Sequence, residues 1–303
     1  MEPTRPKMPA EAIELYNLFI HGVISRRAFM DGVQRFAIGG LAVTTIVEAL
    51  MPDYALGQQV SKTDERIKAT YETVPSPHGN GSIKGYLVRP FSADTRTETK
   101  AKLPGIIVVH ENRGLNPHIE DIARRLALAN FMAFAPDGLT SLGGFPGDDY
   151  KGGQLFGKVD AKKMAEDFAA SAMWLKSRPD CTGKIGITGF CFGGTISNAM
   201  AVRLGADLAA AVPYYGGVPG NEDIPKIKAA VLVHHGALDT RLATTWPDYD
   251  KALKAINVPH EGYIYPECVH GFNCDATPER YNKAASELAW QRTIGWFNKY
   301  VGA

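Results

Sequence analysis

A cysteine stands between glycines in the segment GITGFCFGG, in the frame Gly189-x-Cys191-x-Gly193-Gly194. An apolar run typical of a buried strand precedes it, and a helical pattern follows it. A nucleophile on such a strand-to-helix turn has a strained backbone and an exposed side chain, and glycines around it prevent collisions across the turn. We therefore predict that Cys191 is a nucleophile. The alternative is a buried, inert thiol at a tight turn.

A thiol at neutral pH needs a neighbour that stabilises its anion. Its usual pKa is about 8.5, so half ionisation at pH 7 requires roughly 2 kcal/mol, and a helix N-terminus contributes only about 0.3–1 kcal/mol. Asp239 and His270 each follow a later apolar run, in the chain order nucleophile, acid, histidine. We predict that His270 accepts the thiol proton and later activates water, while Asp239 orients the imidazole. A helix-capping Asp and an ordinary loop His are the alternatives.

Acyl transfer also requires two N–H donors for the oxyanion of its intermediate. Phe192, the residue after the nucleophile, is predicted to supply one, and Asn112 in the segment VVHENRGLN is predicted to supply the other. Three more histidines end predicted strands, and we expect structural or pocket-lining roles for them: His110, His234 and His235.

Short apolar runs without alternation indicate strands that are buried on both faces. These runs are residues 105–110, 131–136, 184–190, 208–216, 229–236 and 261–266. Helical patterns lie between them, so the sequence predicts a mainly parallel sheet with helices on both faces. Because ligands of such sheets bind at the carboxyl ends of the strands, the predicted site residues share one edge. Upstream, alternation over residues 83–90 predicts a half-buried strand, and polar residues 92–102 predict an exposed loop.

The first 57 residues differ from the rest of the chain. Arg26 and Arg27 precede an apolar run over residues 36–47, and the small residues Ala55 and Gly57 follow it. This layout is typical of a twin-arginine export leader, which predicts cleavage after Gly57 and a periplasmic or otherwise exported protein. The run is shorter than the roughly 20 residues of a bilayer span, so we expect no stable membrane insertion after processing. The alternative is an N-terminal helical extension, over residues 1–57, of a cytoplasmic protein.

Residues 58–303 are predicted to form one catalytic domain. The chain has 33 basic and 32 acidic side chains, and a net charge of +1 does not favour nucleic acid or an anionic membrane as a partner. We find no spacing typical of a metal site and no glycine-rich phosphate loop, so no metal or cofactor is expected. The four cysteines are too few for a disulfide scaffold, although Cys268 and Cys274 flank His270 and could pair after export.

The segments HENRG, GFCFGG and PYYG, together with the Asp239/His270 spacing, resemble those of dienelactone hydrolases, also called carboxymethylenebutenolidases. The resemblance covers about residues 68–300. It implies the α/β-hydrolase fold and a Cys-His-Asp triad. It also implies that Glu111 keeps the resting thiol protonated until substrate binding moves this carboxylate into position to accept the proton.

The reaction that the resemblance implies is hydrolysis of an enol lactone. The Cys191 thiolate attacks the ring carbonyl, the ring opens to an enolate, and water guided by His270 cleaves the thioester. In members of this family, arginines bind the substrate carboxylate. At the first of the two positions of these arginines, residues 143–163 contain lysines but no arginine. At the second, four residues after His270, this chain has Cys274. Candidate replacements are Arg113, Arg241 and Arg280.

We also predict that Tyr214 and Tyr215 line the pocket, with packing in the core as the alternative. The sequence as a whole predicts a cysteine-dependent hydrolase of a small ester or enol lactone. A broad esterase or peptidase on the same fold, and a non-catalytic binding protein on a hydrolase scaffold, are the alternatives. The sequence leaves the oligomeric state open.

Overall fold

The computed structural model describes residues 8–20, 23–37, 42–54, 57–92, 97–98 and 102–302. Ala55 of the predicted cleavage site lies outside the described residues, as do parts of the predicted apolar run and of the predicted loop over residues 92–102.

One sheet forms the centre of the molecule. Its strands are β1 (Ile67–Ser76), β2 (Gly81–Ser92), β3 (Thr97–Glu98), β4 (Leu103–Val109), β5 (Met132–Pro136), β6 (Cys181–Phe190), β7 (Ala210–Tyr214), β8 (Ala230–Gly236) and β9 (His260–Tyr265). The main order is β1-β2-β5-β4-β6-β7-β8-β9, and β3 pairs with β2. Strands β4 to β9 run parallel to one another, whereas β1 and β2 are antiparallel additions at one edge. The prediction of a mainly parallel sheet is confirmed.

Later helices cover both faces of this sheet, and three helices precede it in the chain. The helices are α1 (Ala10–Ile20), α2 (Arg26–Val33), α3 (Val43–Leu50), α4 (Pro117–Leu128), α5 (Asp149–Phe156), α6 (Ala161–Ser177), α7 (Phe192–Leu204), α8 (Thr240–Ala243), α9 (Trp246–Ala255) and α10 (Lys283–Tyr300). Along β4, Ile106 and Val108 join a cluster with α4 and α10, and Ile107 and Val109 join a cluster with α6, α7 and α9. Successive side chains of a strand point to opposite faces, so a strand that lies between two helical layers must be apolar throughout.

The first three helices have an apolar core of their own. Its buried members are Met8, Ala12, Tyr16, Phe29, Val33, Ile46, Ala49 and Leu50. Helix α2 begins at Arg26 because Ser25 accepts a hydrogen bond from the amide of Ala28 at 3.2 Å. No helix in the described part of the chain is long and apolar enough to cross a bilayer. The structure thus places these helices against the catalytic domain, and the export leader stays a prediction.

Helix α7 approaches the end of β7 unusually closely. A Cβ atom at Gly194 would lie 2.4 Å from the carbonyl oxygen of Tyr214 and 2.9 Å from Cα of Gly216. Both neighbours are backbone atoms, which cannot move without displacing the strand end. Helix α10 offers a contrast, because a Cβ atom at Gly295 would meet nothing within 4 Å.

We predict opposite effects of the same substitution at these two helical glycines. Gly194→Ala should destabilise the protein by about 1–3 kcal/mol through overpacking and lower Tm by several degrees. Gly295→Ala should stabilise it by about 0.4–1 kcal/mol, because alanine restricts the unfolded chain and meets no obstacle in the fold. Calorimetry of both variants measures the difference. Equal Tm values would contradict the close approach of α7 and β7.

Candidate active site

Cys191 lies at the strand-to-helix turn that the sequence indicates. It follows β6 and caps α7, with φ 55° and ψ −110°, a conformation that non-glycine residues rarely adopt. Its amide donates to the carbonyl of Tyr214 at 3.1 Å, and its carbonyl accepts from the amide of Thr195 at 3.1 Å. A Cβ atom at Gly189 would lie 2.2 Å from the carbonyl oxygen of Gly193, so the turn has no room for side chains there.

His270 and Asp239 meet at the same edge of the sheet. Asp239 follows β8 and directly precedes α8, and His270 lies in the turns after β9. Nδ1 of His270 is 2.6 Å from Oδ2 of Asp239, and their side chains are 7% and 8% exposed. Burial raises the pKa of Asp239, but the hydrogen bond and positive charge of His270 outweigh it and lower that pKa.

The imidazole of His270 and the side chain of Cys191 border the same cavity, close enough for their charges to interact. Burial alone would lower the pKa of His270, but the negative charge of Cys191 and the contact with Asp239 outweigh it and raise the pKa to about 9. The structure therefore brings together the three residues that the sequence selected by their order. A thiol beside an imidazole that a carboxylate orients can act as a nucleophile.

A small cavity of about 10 Å³, which is room for about one water molecule, lies beside these groups, and Cys191 on its wall is half-buried. Cys191 and His270 border it, and so do Glu111 and Asn112 from the loop after β4. Asn112 thus borders the same cavity as Cys191, and its role as the second oxyanion donor stays a prediction. Phe192 begins α7, and amides in the first turn of a helix have no acceptor within that helix.

The loop after β4 is held by the buried ring of His110. Its Nε2 accepts from the amide of Gly138 at 2.9 Å, and its Nδ1 contacts the carbonyl oxygen of Glu111. Burial lowers the pKa of His110, so the ring is neutral at pH 7. His110 therefore has the structural role that the sequence analysis expects. Burial also lowers the pKa of His235, to about 4. In the core, the hydroxyl oxygen of Tyr265 lies 3.0 Å from Nδ1 of His234.

Two of the three candidate arginines border the cavity, namely Arg113 and Arg280. Arg280 is 6% exposed, and its Nε has no hydrogen-bond partner among the described residues. Its guanidinium carbon lies 5.4 Å from the ring centroid of Tyr16. Arg241 instead lies in a separate groove beside Asp239. The cavity wall thus carries two arginines that the sequence could not place.

The two adjacent tyrosines differ in position. The ring of Tyr215 lies 5.0 Å from that of His270, and its buried hydroxyl has no hydrogen-bond partner in the part of the chain that the structure describes. The hydroxyl of Tyr214 is 2.6 Å from Oγ1 of Thr293 on α10, within the core. For Tyr214 the structure favours the alternative of packing in the core, because the side chain of this last β7 residue lies in the layer between the sheet and α10.

A second group of Cys, His and Asp, which the sequence analysis missed, lies buried outside the cavity. Nδ1 of His118 is 3.0 Å from Oδ1 of Asp275, and the ring also interacts electrostatically with Cys274. Burial opposes the charge of His118, but Cys274 and Asp275 raise its pKa to about 10. Nothing local signals this group, since His118 is far from the other two in the sequence.

All four cysteines lie in described segments, and none of them forms a disulfide, so Cys268 and Cys274 are not paired in this structure. Within the same segments, no group of three or more His, Cys, Asp or Glu side chains could hold a metal ion.

The other unexpected neighbours of Cys191 come from the N-terminal region. Tyr16 and Ile20 of α1, together with Pro52, complete the wall of the cavity. The only signal for this in the sequence is the alternative of a helical extension that packs on the domain.

Comparison with known proteins gives consistent matches. The model of the family described as "Dienelactone hydrolase family" matches residues 91–301. A protein of Escherichia coli O157:H7 named "Putative carboxymethylenebutenolidase" is 34% identical over 259 residues, which cover 80% of this chain and 91% of the relative.

Solved structures agree with the family match. A structure described as "Putative Dienelactone Hydrolase" from Klebsiella pneumoniae is 30% identical with a TM-score of 0.66, and the match covers 77% of this chain and 99% of the other. Dienelactone hydrolase from Anabaena variabilis is 19% identical with a TM-score of 0.58, over 78% of this chain and 99% of the other, and therefore supports the fold alone.

The raised pKa of His270 leads to a testable pH dependence. A histidine with a pKa of about 9 in the fold and about 6.5 when unfolded stabilises the protein fully below about pH 6.5. This contribution is lost as the pH rises through 9. Asp239→Asn should lower the pKa of His270, measured by NMR titration, and should reduce the loss of stability between pH 6.5 and 9.

The matched control is Asp223→Asn, because Asp223 is a more exposed carboxylate whose ion pair is with Lys226. It should leave the titration of His270 unchanged. An unchanged pKa of His270 in Asp239→Asn would contradict the electrostatic role of this carboxylate.

Proposed function

Because the chain belongs to the dienelactone hydrolase family and is therefore a hydrolase of ester or lactone bonds, we propose that Cys191 is its nucleophile and a small ester or enol lactone its substrate. The observation that carries this proposal is the line of contacts from Asp239 through His270 to Cys191. Such a line is what nucleophilic catalysis by a thiol requires.

In the first half of the proposed reaction, the Cys191 thiolate attacks the carbonyl carbon and a C–S bond forms. The amides of Phe192 and Asn112 stabilise the oxyanion. Collapse of this intermediate breaks the C–O bond of the ester or lactone and leaves a thioester. An enol lactone opens to an enolate, and this enolate, or an alcohol leaving group, takes its proton from the imidazolium of His270.

The charges of the site favour this order of events. Thioester formation removes the negative charge of the sulfur, which is the largest contribution that raises the pKa of His270. Only Asp239 then opposes the effect of burial, so the pKa of His270 falls and the ring gives up its proton more readily. The neutral ring next takes a proton from water, the hydroxide attacks the thioester, and the C–S bond breaks. The acid product leaves and the Cys191 thiolate is restored.

We assign Glu111, which borders the cavity, as the carboxylate that exchanges a proton with the resting thiol.

The test compares the cysteine that follows β6 with the cysteine that begins it. Cys191→Ala should lower kcat for aryl acetates and enol lactones by several orders of magnitude, as removal of a catalytic nucleophile does. Cys181→Ala, at the buried start of β6, should stay within a few-fold of the wild type. Quenched reactions should show the acyl group on the Cys191 peptide by mass mapping. Unchanged hydrolysis in Cys191→Ala would remove Cys191 from the mechanism, and a panel including peptides separates esterase from peptidase activity.

The arginines favour a substrate that carries a carboxylate. Arg280 is buried beside Cys191 and His270, and its Nε is unsatisfied among the described residues, so an anionic group in the site would gain both a charge and a hydrogen bond. Arg113 borders the same cavity.

We therefore predict that Arg280→Met changes selectivity. It should lower kcat/KM for a lactone that carries a carboxylate by about 10- to 100-fold, the value of one lost charged hydrogen bond, and should change kcat/KM for a neutral aryl acetate much less. Arg203→Met is the control, because Arg203 lies at the half-exposed end of α7 and pairs with Glu166, and it should leave the ratio unchanged. Equal losses on both substrates in Arg280→Met would indicate a structural role instead.

A further inference from the structure

The cavity beside Cys191 cannot hold a substrate in this conformation. Its volume of about 10 Å³ compares with the roughly 300–1,000 Å³ of typical small-molecule sites. Three of its wall residues, Tyr16, Ile20 and Pro52, come from the segment before the catalytic domain. We call residues 8–54, as far as the structure describes them, the N-terminal cap.

The cap binds groups that the proposed reaction uses. The side-chain amide of Asn112 donates to the carbonyl of Ile20 at 2.7 Å, and the guanidinium of Arg113 donates to the same oxygen at 3.2 Å. Arg280 stacks over the ring of Tyr16. The backbone carbonyl of α1 thus occupies donors of the loop after β4, where a substrate oxygen would compete for them.

The cap also has the construction of a separable unit. Its apolar cluster contains only its own residues, so it can move or unfold without opening either core of the catalytic domain. Besides the contacts of Ile20, the cap makes polar contacts with the domain at both of its described ends, and the amide of Met8 donates to Glu279 at 3.3 Å. The hydroxyl of Tyr54 donates to Asp149 at 2.7 Å, and the amide of Asp53 donates to the carbonyl of Ala276 at 2.5 Å.

Open space lies on both sides of α1. A groove of about 420 Å³ lies between Ile13 and Asn17 of α1 and the loops that carry Asp239 and His270. A second cavity of about 300 Å³ lies between α1 and the start of α5. His270 borders both the groove and the small cavity beside Cys191. Displacement of α1 would therefore join the two into a site large enough for a small ester.

We propose that the N-terminal cap is an autoinhibitory element that closes the site around Cys191, and that the site works only when the cap is displaced or removed. The effect on hydrolysis rests on the proposed function, whereas the shielding of the thiol does not. The apparent activity then scales with the fraction of molecules in which the cap is open. If the leader is cleaved after Gly57, the same cut removes the cap, and the precursor is held inactive until then.

The experiment opens the cap within the full chain. Val33 is fully buried in the cluster of the cap, and Ala28 is exposed on the same helix. Val33→Asp places an uncompensated charge in the cap core and should unfold the cap. Ala28→Asp is the control, because it introduces the same carboxylate at an exposed position of α2. Limited proteolysis reports whether the cap has opened. Labelling of Cys191 by iodoacetamide, mapped by mass, reports access to the thiol, and aryl acetate hydrolysis reports activity.

We expect labelling and kcat/KM to rise at least about 10-fold in Val33→Asp and to stay at the wild-type value in Ala28→Asp, since the competent fraction of molecules sets both quantities. If neither the wild type nor any variant hydrolyses the ester, faster labelling of Val33→Asp would support the cap and contradict the proposed hydrolase. Unchanged labelling in a variant whose cap is cleaved by protease would overturn the cap, and so would faster labelling with reduced hydrolysis.

A milder variant guards against general misfolding. Tyr54→Phe removes only the hydrogen bond to Asp149 at the margin of the cap. Its labelling rate should fall between those of the wild type and Val33→Asp. A rate equal to that of the wild type, with proteolysis showing a loosened cap, would also overturn the proposal.

Discussion

The left-handed backbone at Cys191 is the constraint on which the rest of the site depends. A non-glycine residue in such a conformation costs about 1–3 kcal/mol and persists only when its surroundings determine it. Here β6 lies between two parallel neighbours, β4 and β7, and α7 begins at the next residue. The strand and the helix cannot relax independently, so the thiol stays raised above the sheet edge. The loops that carry Asp239 and His270 end at that same edge.

Burial and the neighbouring charges together set the pKa of the His270 imidazole. Desolvation disfavours its cation, while Cys191 and Asp239 favour it, and the result is a raised pKa. This balance depends on the state of the sulfur, because a thioester carries no negative charge. One ring can therefore be a stable cation beside the thiolate and a base beside the acyl group. The His118 group has the same residue types and a raised pKa, but it lies outside the cavity wall. The residue types alone therefore do not make an active site.

The N-terminal cap contacts polar groups that line the site around Cys191. Its Ile20 carbonyl receives the donors of Asn112 and Arg113, so the closed state satisfies polar groups that would otherwise be buried without partners. A substrate can replace the cap only through the difference in its affinity for the open and closed states. The closed state would also shield a thiol in an oxidising compartment, where an exposed thiolate is open to oxidation. Export and inhibition by one segment are thus chemically compatible.

Local patterns in the sequence determined the sheet, most of its helices and the order of Cys191, Asp239 and His270. Strand burial, helical periodicity and a glycine-bounded turn are properties of neighbouring residues, and parallel strands bring their carboxyl ends to one edge whatever the loops contain. The sequence did not place Arg113 and Arg280 at the cavity, Tyr214 in the core, His118 beside Cys274, or α1 over the thiol. Those positions follow from contacts between segments far apart in the chain. Such contacts depend on how whole layers pack, and no local pattern records that packing.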